Sequence, residues 1–304
     1  MSDFFQKLRN DAFQGDYLTR LLYLNIGVFV TISIVNAFVG LFTGHIGLGH
    51  QWAADWLGMP TDGLKLITRP WTVMTYMFTH LGFYHLLFNM LVLYFSGKIL
   101  MEYLGQRRLL ALYIYGGLGG GLLYLIISNI SPILGGSQLV GASAGTMAIL
   151  VAGALYMPTM ELRLWGILPV KYWILAAGVI FLDIISLTGT NAGGHLAHLG
   201  GALVAYFFIE SMRKGHEWNV YLFQVIDAVR GLLFRGGKKK RGFSFGEQTY
   251  KRSTNKSRNP LDSTRSGKSD QTSRMDEILD KIKAKGYESL SKEEKEFLFK
   301  ISKD

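Results

Sequence analysis

Apolar residues in this chain fall in long runs, without the spacing of an amphipathic helix or a half-buried strand. The runs predict six membrane-spanning helices, over residues 19–42, 83–104, 108–129, 143–158, 168–187 and 193–212, because roughly 20 residues of helix cross a hydrocarbon core of about 30 Å. The fourth is short. Residues 43–82 form a long first loop whose Trp52, Trp56, Leu57 and Trp71 are too apolar for a solvated connection. The loop is also too interrupted to span, so it is expected in the membrane interface. Residues 1–18 mix both charge signs and lack the short apolar core of a removed signal peptide, so the first run is read as a retained helix.

Past the sixth run the pattern becomes amphipathic. Trp218, Tyr221, Leu222, Val225, Val229, Leu232 and Leu233 share one helical face just before Lys238, Lys239, Lys240 and Arg241. Segment 213–235 therefore reads either as a helix lying on an anionic leaflet or as one packed under the bundle. Residues 236–274 hold scarcely an apolar side chain and predict a disordered basic linker. In segment 275–304, Met275, Ile278, Leu279 and Ile282 mark a short helix ended by Gly286. Ser291 to Glu294 then form a capping box ahead of Phe297, Leu298 and Ile301. The expected fold class is all-α: a six-helix membrane bundle over 19–212 with a long interfacial first loop, and a small cytoplasmic helical hairpin at 275–304.

Composition changes this picture little: 49% of residues are hydrophobic and mean hydropathy is +0.21. The formal charge of +10 would suggest nucleic acid in a soluble protein. Most of the surplus follows residue 212, where it reads as a topology signal, so no nucleic-acid partner is expected. The absence of cysteine excludes disulfides, thiolate nucleophiles and cysteine metal sites. Arg107, Arg108, Arg163 and Lys171 lie after spans two and four, whereas the connections around 130–141 and 188–194 carry no charge. Both termini are therefore expected in the cytoplasm, with Lys65 and Arg69 a mild counter-signal.

Polar residues inside spans are costly and mark candidate chemistry. They are His85 and Asn89 in span two, Ser143 opening span four, Asp183 in span five, and His195 and His198 in span six. All lie toward one side of the membrane, which calls for a water-reachable cavity at that level. Gly141, Gly145, Ala148 and Ala152 form a small-residue stripe in span four, and Gly193, Ala197, Gly201 and Ala205 form one in span six. Contact along these stripes would bring Ser143 and His198 together. The glycines of span three, at 116, 117 and 119–121, read as packing only.

A serine hydroxyl needs a neighbouring base, and imidazole titrates near neutrality. Asn89, His85 and the Ser143 backbone N–H could serve the oxyanion. His195 is an alternative base, and Asp183 could orient His198 or be structural.

Over residues 69 to 210 the order of features resembles the rhomboid family of intramembrane serine proteases. The matching features are the long interfacial loop, His-x-x-x-Asn at His85 and Asn89, Gly141-Ala142-Ser143, and Ala-His-x-x-Gly at 197–201, with His80 upstream. The resemblance implies a Ser143–His198 dyad without a required aspartate, an oxyanion site using His85, Asn89 and the Ser143 backbone, and cleavage of transmembrane protein substrates. It implies no cofactor and no metal. Gly141, Ala142, His80, His195 and Asp183 become supporting candidates.

Three positions depart from the family pattern: Ala144 stands where glycine is usual, Trp71 is followed by Thr72 and not arginine, and Met147 replaces a frequent tyrosine. The segment from about 275 resembles a module appended to rhomboids of some bacterial lineages, and the expected location is the bacterial inner (plasma) membrane. Two other readings compete. One is an inactive rhomboid-like binder of membrane clients. The other is a metal site or transporter using His80, His85, His195 and His198, against which stands the absence of an HExxH motif and of a carboxylate ligand beside the histidines.

Overall fold

The computed structural model describes residues 14–131, 138–164, 167–189, 191–233 and 289–301, with Gln6, Asn10, Asp11, Met275, Ile278 and residues 280–282. The chain divides into two units, Met1–Gly237 and Lys238–Asp304.

In the first unit the long apolar runs become helices because a helix satisfies every backbone polar group within its own segment. Helix α1 (Tyr17–Thr43) is followed by the first loop, which folds into α2 (Leu48–Leu57), α3 (Gly63–Thr68), α4 (Thr72–Thr75) and a 3-10 turn (Tyr76–Phe78). The bundle continues with α5 (Phe83–Leu104), α6 (Gln106–Ile130), α7 (Ser143–Tyr156), α8 (Tyr172–Ile185), α9 (Ala192–Arg213) and α10 (Trp218–Leu233). Helices α1, α5, α6 and α9 are long and apolar enough to cross a membrane, while α7 and α8 have 14 residues each.

Large apolar side chains on the rim are exposed, among them Val30, Phe38, Phe88, Phe95, Phe181 and Phe207. A surface of this kind suits lipid. Helix α7 is enclosed instead, with every residue from Ala144 to Ala154 buried. At about 1.5 Å per residue it is roughly 21 Å long, so at least one of its ends must lie below a membrane surface.

Three expectations change. The fifth run is expected to be helical from 168, but Leu168–Lys171 is a strand paired antiparallel with Glu161–Leu164, and the helix begins at Tyr172. An apolar window cannot by itself separate a short strand from a helix end. The stripe on α7 also serves α6: a Cβ on Gly145 would meet Tyr113 and one on Gly116 would meet Ala148, so Gly145 and Ala148 face α6 beside the expected approach to α9. Contact with α9 runs through Ala144, whose carbonyl oxygen lies where a Cβ of Gly201 would stand. Lastly, α10 combines the two readings offered for it. Trp218 and Leu222 pack on the core and Arg108 is paired with Glu217, while Val225, Val229 and Leu232 remain exposed.

In the second unit, Ser291 and Glu294 bond reciprocally as a capping box, Ser291 N–H to Glu294 Oε2 at 2.7 Å and Glu294 N–H to Ser291 Oγ at 3.2 Å. They open helix α11 (Lys292–Ile301), and Ile278 and Leu290 are buried. The expected linker 236–274, the Lys238–Arg241 cluster and Gly286 lie outside the described residues.

Candidate active site

The first loop builds the platform on which the serine turn rests. Its anchor is aromatic: Trp56 and Trp71 stack with centroids 6.2 Å apart, Trp71 Nε1–H donates to the Trp56 carbonyl at 2.8 Å, and Arg69 covers Trp56 at 4.3 Å. Arginine thus meets the tryptophan pair from two residues before Trp71, and Thr72 donates to the Arg69 carbonyl at 2.7 Å.

From this platform three contacts hold the chain leading to Ser143. Met59 and Leu139 exchange backbone hydrogen bonds of 2.9 Å, Gly141 N–H donates to the Tyr76 carbonyl at 2.9 Å, and Ala142 N–H donates to His80 Nε2 at 3.3 Å. The Tyr76 hydroxyl in turn bonds the Gly117 carbonyl of α6. Tyr113 O–H donates to the Met77 carbonyl at 2.9 Å and accepts from Asn25 of α1 at 3.1 Å.

Gly141 turns the chain into α7 with φ of 121°, a conformation that side chains resist. A Cβ there would also lie 2.6 Å from the His85 ring. Ala144, by contrast, sits inside a regular helix, so alanine at this position costs no strain.

His80 is fully buried in the loop ahead of α5. Burial first, and the neighbouring His85 second, push its imidazole down from 6.5 to about 4, against the opposing effect of the Phe78 carbonyl. It therefore stays neutral, with Nε2 free to accept. The unfolded chain binds this proton near pH 6.5 and the folded chain only near 4, so stability is complete above 6.5 and falls on acidification through that window. Thermal midpoints measured from pH 7 to 4 are expected to show a drop equivalent to about 3 kcal/mol that His80→Gln removes. An unchanged slope in the variant would assign the acid sensitivity elsewhere.

Ser143 and His198 line one cavity of about 340 Å³ together with His85 and Asn89. Asn89 donates from its amide to the His85 carbonyl at 2.8 Å, and its Oδ1 accepts from Thr146 Oγ1 at 3.3 Å. Thr146, one turn past Ser143, also donates to the Ser143 carbonyl at 3.0 Å. Sequence reasoning missed Thr146, although a hydroxyl three residues after Ser143 in an apolar run was a usable signal. It also missed Tyr84 and Asn191, which line the cavity with Val179 of α8. Met147 is among the lining residues as well.

His195 is not among the lining residues. Its Nδ1 lies 2.7 Å from Asp183 Oδ1, and His198 Nδ1 lies 2.8 Å from the same oxygen. These three are the only group among the described residues with ligand atoms close enough for a metal, all within 4.8 Å. In this structure those atoms bond one another. Asp183 thereby overturns the expectation that no carboxylate stands beside the histidines, and the four histidines fall in two pairs, His80 with His85 at a ring separation of 5.1 Å and His195 with His198 at 5.8 Å.

The fold and the cavity define a helical integral membrane protein with a serine and a histidine on the wall of one largely apolar cavity. Residues 68–214 match the Rhomboid domain, and this region of the chain is a member of the rhomboid family. Residues 262–304 match a family of unknown function, DUF6576. RHOMBOID-like protein 12, mitochondrial, from Arabidopsis thaliana is 31% identical over 61% of this chain and 59% of its own length. Presenilin-associated rhomboid-like protein A, mitochondrial, from Danio rerio is 32% identical over 46% of this chain and 36% of its own. Rhomboid-like protein 16, chloroplastic, from Arabidopsis thaliana is 28% identical over 62% and 63% respectively. The chain thus spans between about a third and two thirds of these relatives.

Proposed function

We propose that this protein is an intramembrane serine endopeptidase that cuts transmembrane protein substrates at or near the membrane. The observation that carries the reading is the shared cavity of Ser143 and His198, with His85 and Asn89 on the same wall. His198 takes the Ser143 hydroxyl proton as the oxygen bonds the scissile carbonyl carbon. The resulting oxyanion is met by the second amide N–H of Asn89, the His85 ring and the Ser143 N–H at the start of α7, where the helix field also favours negative charge. His198 returns the proton to the leaving amine, and water then hydrolyses the acyl ester through the same base.

The cavity wall is shared by Tyr84, Phe88 and Val92 of α5 and Val179 of α8, whose apolar surroundings suit an unwinding transmembrane segment. The clustering of Lys and Arg after spans two and four and in the C-terminal region supports an orientation with both termini in the cytoplasm. The exposed face of α10 supports contact with lipid.

A fluorophosphonate probe tests the nucleophile directly: the wild-type protein is expected to be labelled and Ser143→Ala not. A folded wild-type protein that stays unlabelled would favour the inactive client binder.

A further inference from the structure

The last turn of α8 carries a carboxylate aimed at two imidazoles of α9. Asp183 is the one acidic residue of α8, and it is buried along with Tyr172 and Ala176 of the same helix. Its side chain is 5% exposed, and Oδ1 meets both His195 Nδ1 and His198 Nδ1 while Oδ2 is buried with no hydrogen-bond partner among the described residues. An ionised carboxylate only accepts, so each of the two contacts requires a proton on Nδ1. Neutral His198 is thereby held with its lone pair on Nε2, the nitrogen a base must offer to a hydroxyl.

We infer that Asp183 is a positioning residue that fixes the tautomer and orientation of His198, and that His195 is the second donor that holds this carboxylate in place. The inference rests on the Ser143–His198 reading and deepens it, since the resemblance to the family implies a dyad with no required aspartate. In the acylation step the Ser143 proton moves to His198 Nε2, giving an imidazolium whose Nδ1–H stays on nitrogen. Asp183 takes no proton and stabilises the charge that develops. Oδ1 holds two donors because a lone buried carboxylate is expensive, and each added hydrogen bond offsets part of that cost. His195 supports the base and does not replace it.

The test uses the full-length protein and a model transmembrane substrate. Asp183→Asn is expected to lower kcat by about 100-fold or more with KM within about twofold, and to slow fluorophosphonate labelling of Ser143 in parallel, while the thermal midpoint stays near wild type. His195→Ala, folded and within about tenfold of wild-type kcat, completes the expected set. Wild-type kcat in folded Asp183→Asn overturns the inference and leaves the dyad standing. Loss of the folded state in both Asp183→Asn and Asp183→Glu assigns the carboxylate to stability and also overturns it. A folded His195→Ala as inactive as His198→Ala overturns the division of labour between the two imidazoles. Cleavage surviving in Ser143→Ala would instead end the protease reading beneath it.

Discussion

Ser143→Ala and His198→Ala are each expected to reduce cleavage of a transmembrane substrate to background, a loss on the order of 10⁴-fold or more, because nucleophile and base act as one unit. Neither change should unfold the protein. Both side chains are only partly buried at the wall of an open cavity, so truncation there creates no sealed void. The double variant is expected to be no worse than either single one, which is the signature of groups that fail together. Cleavage is read by gel shift of a tagged substrate, with folding followed by thermal midpoint. Substantial cleavage by either single variant would end the assignment.

The second large effect is a reversal of sign between two glycines. In an ordinary helix Gly→Ala is favourable by about 1 kcal/mol. Gly178 in α8 has nothing within 4 Å of an added Cβ, so Gly178→Ala should raise the thermal midpoint or leave it unchanged. Gly201 in α9 faces the carbonyl oxygen of Ala144, a backbone atom inside α7 that cannot swing away. Gly201→Ala should therefore lower the midpoint, with the propensity gain outweighed by an overpacking cost of about 1–3 kcal/mol. Because Ala144 adjoins Ser143, cleavage should fall with it. Equal effects at the two positions would show that α7 and α9 approach less closely than the structure has them.

Much of the site was legible before the fold was known. Polar residues in spans stand out against lipid-compatible neighbours, which is why His85, Asn89, Ser143, Asp183, His195 and His198 could all be picked out as candidates. Thr146 escaped because a hydroxyl in an apolar run can bond its own helix backbone, and it donates to the Ser143 carbonyl while reaching Asn89 as well. The α7 stripe is half legible for a related reason. Small residues announce that some helix comes close, without saying which one, and glycine-rich α6 meets Gly145 and Ala148 beside the expected neighbour α9, which meets Ala144.

Local pattern alone determined the helical membrane class, the order of the apolar segments, the loop too interrupted to span, and the set of polar residues that lipid would not tolerate. Each of these follows from transfer cost and helix rise along a short stretch of chain. Tertiary structure alone decided that the first loop holds the serine turn through Met59, Tyr76 and His80, that Ser143 shares a cavity with His198 without His195 on its wall, and that Asp183 meets both imidazoles through one oxygen. Those contacts join residues far apart in the chain, and their geometry depends on which backbones can approach closely enough, which no periodicity within one segment records.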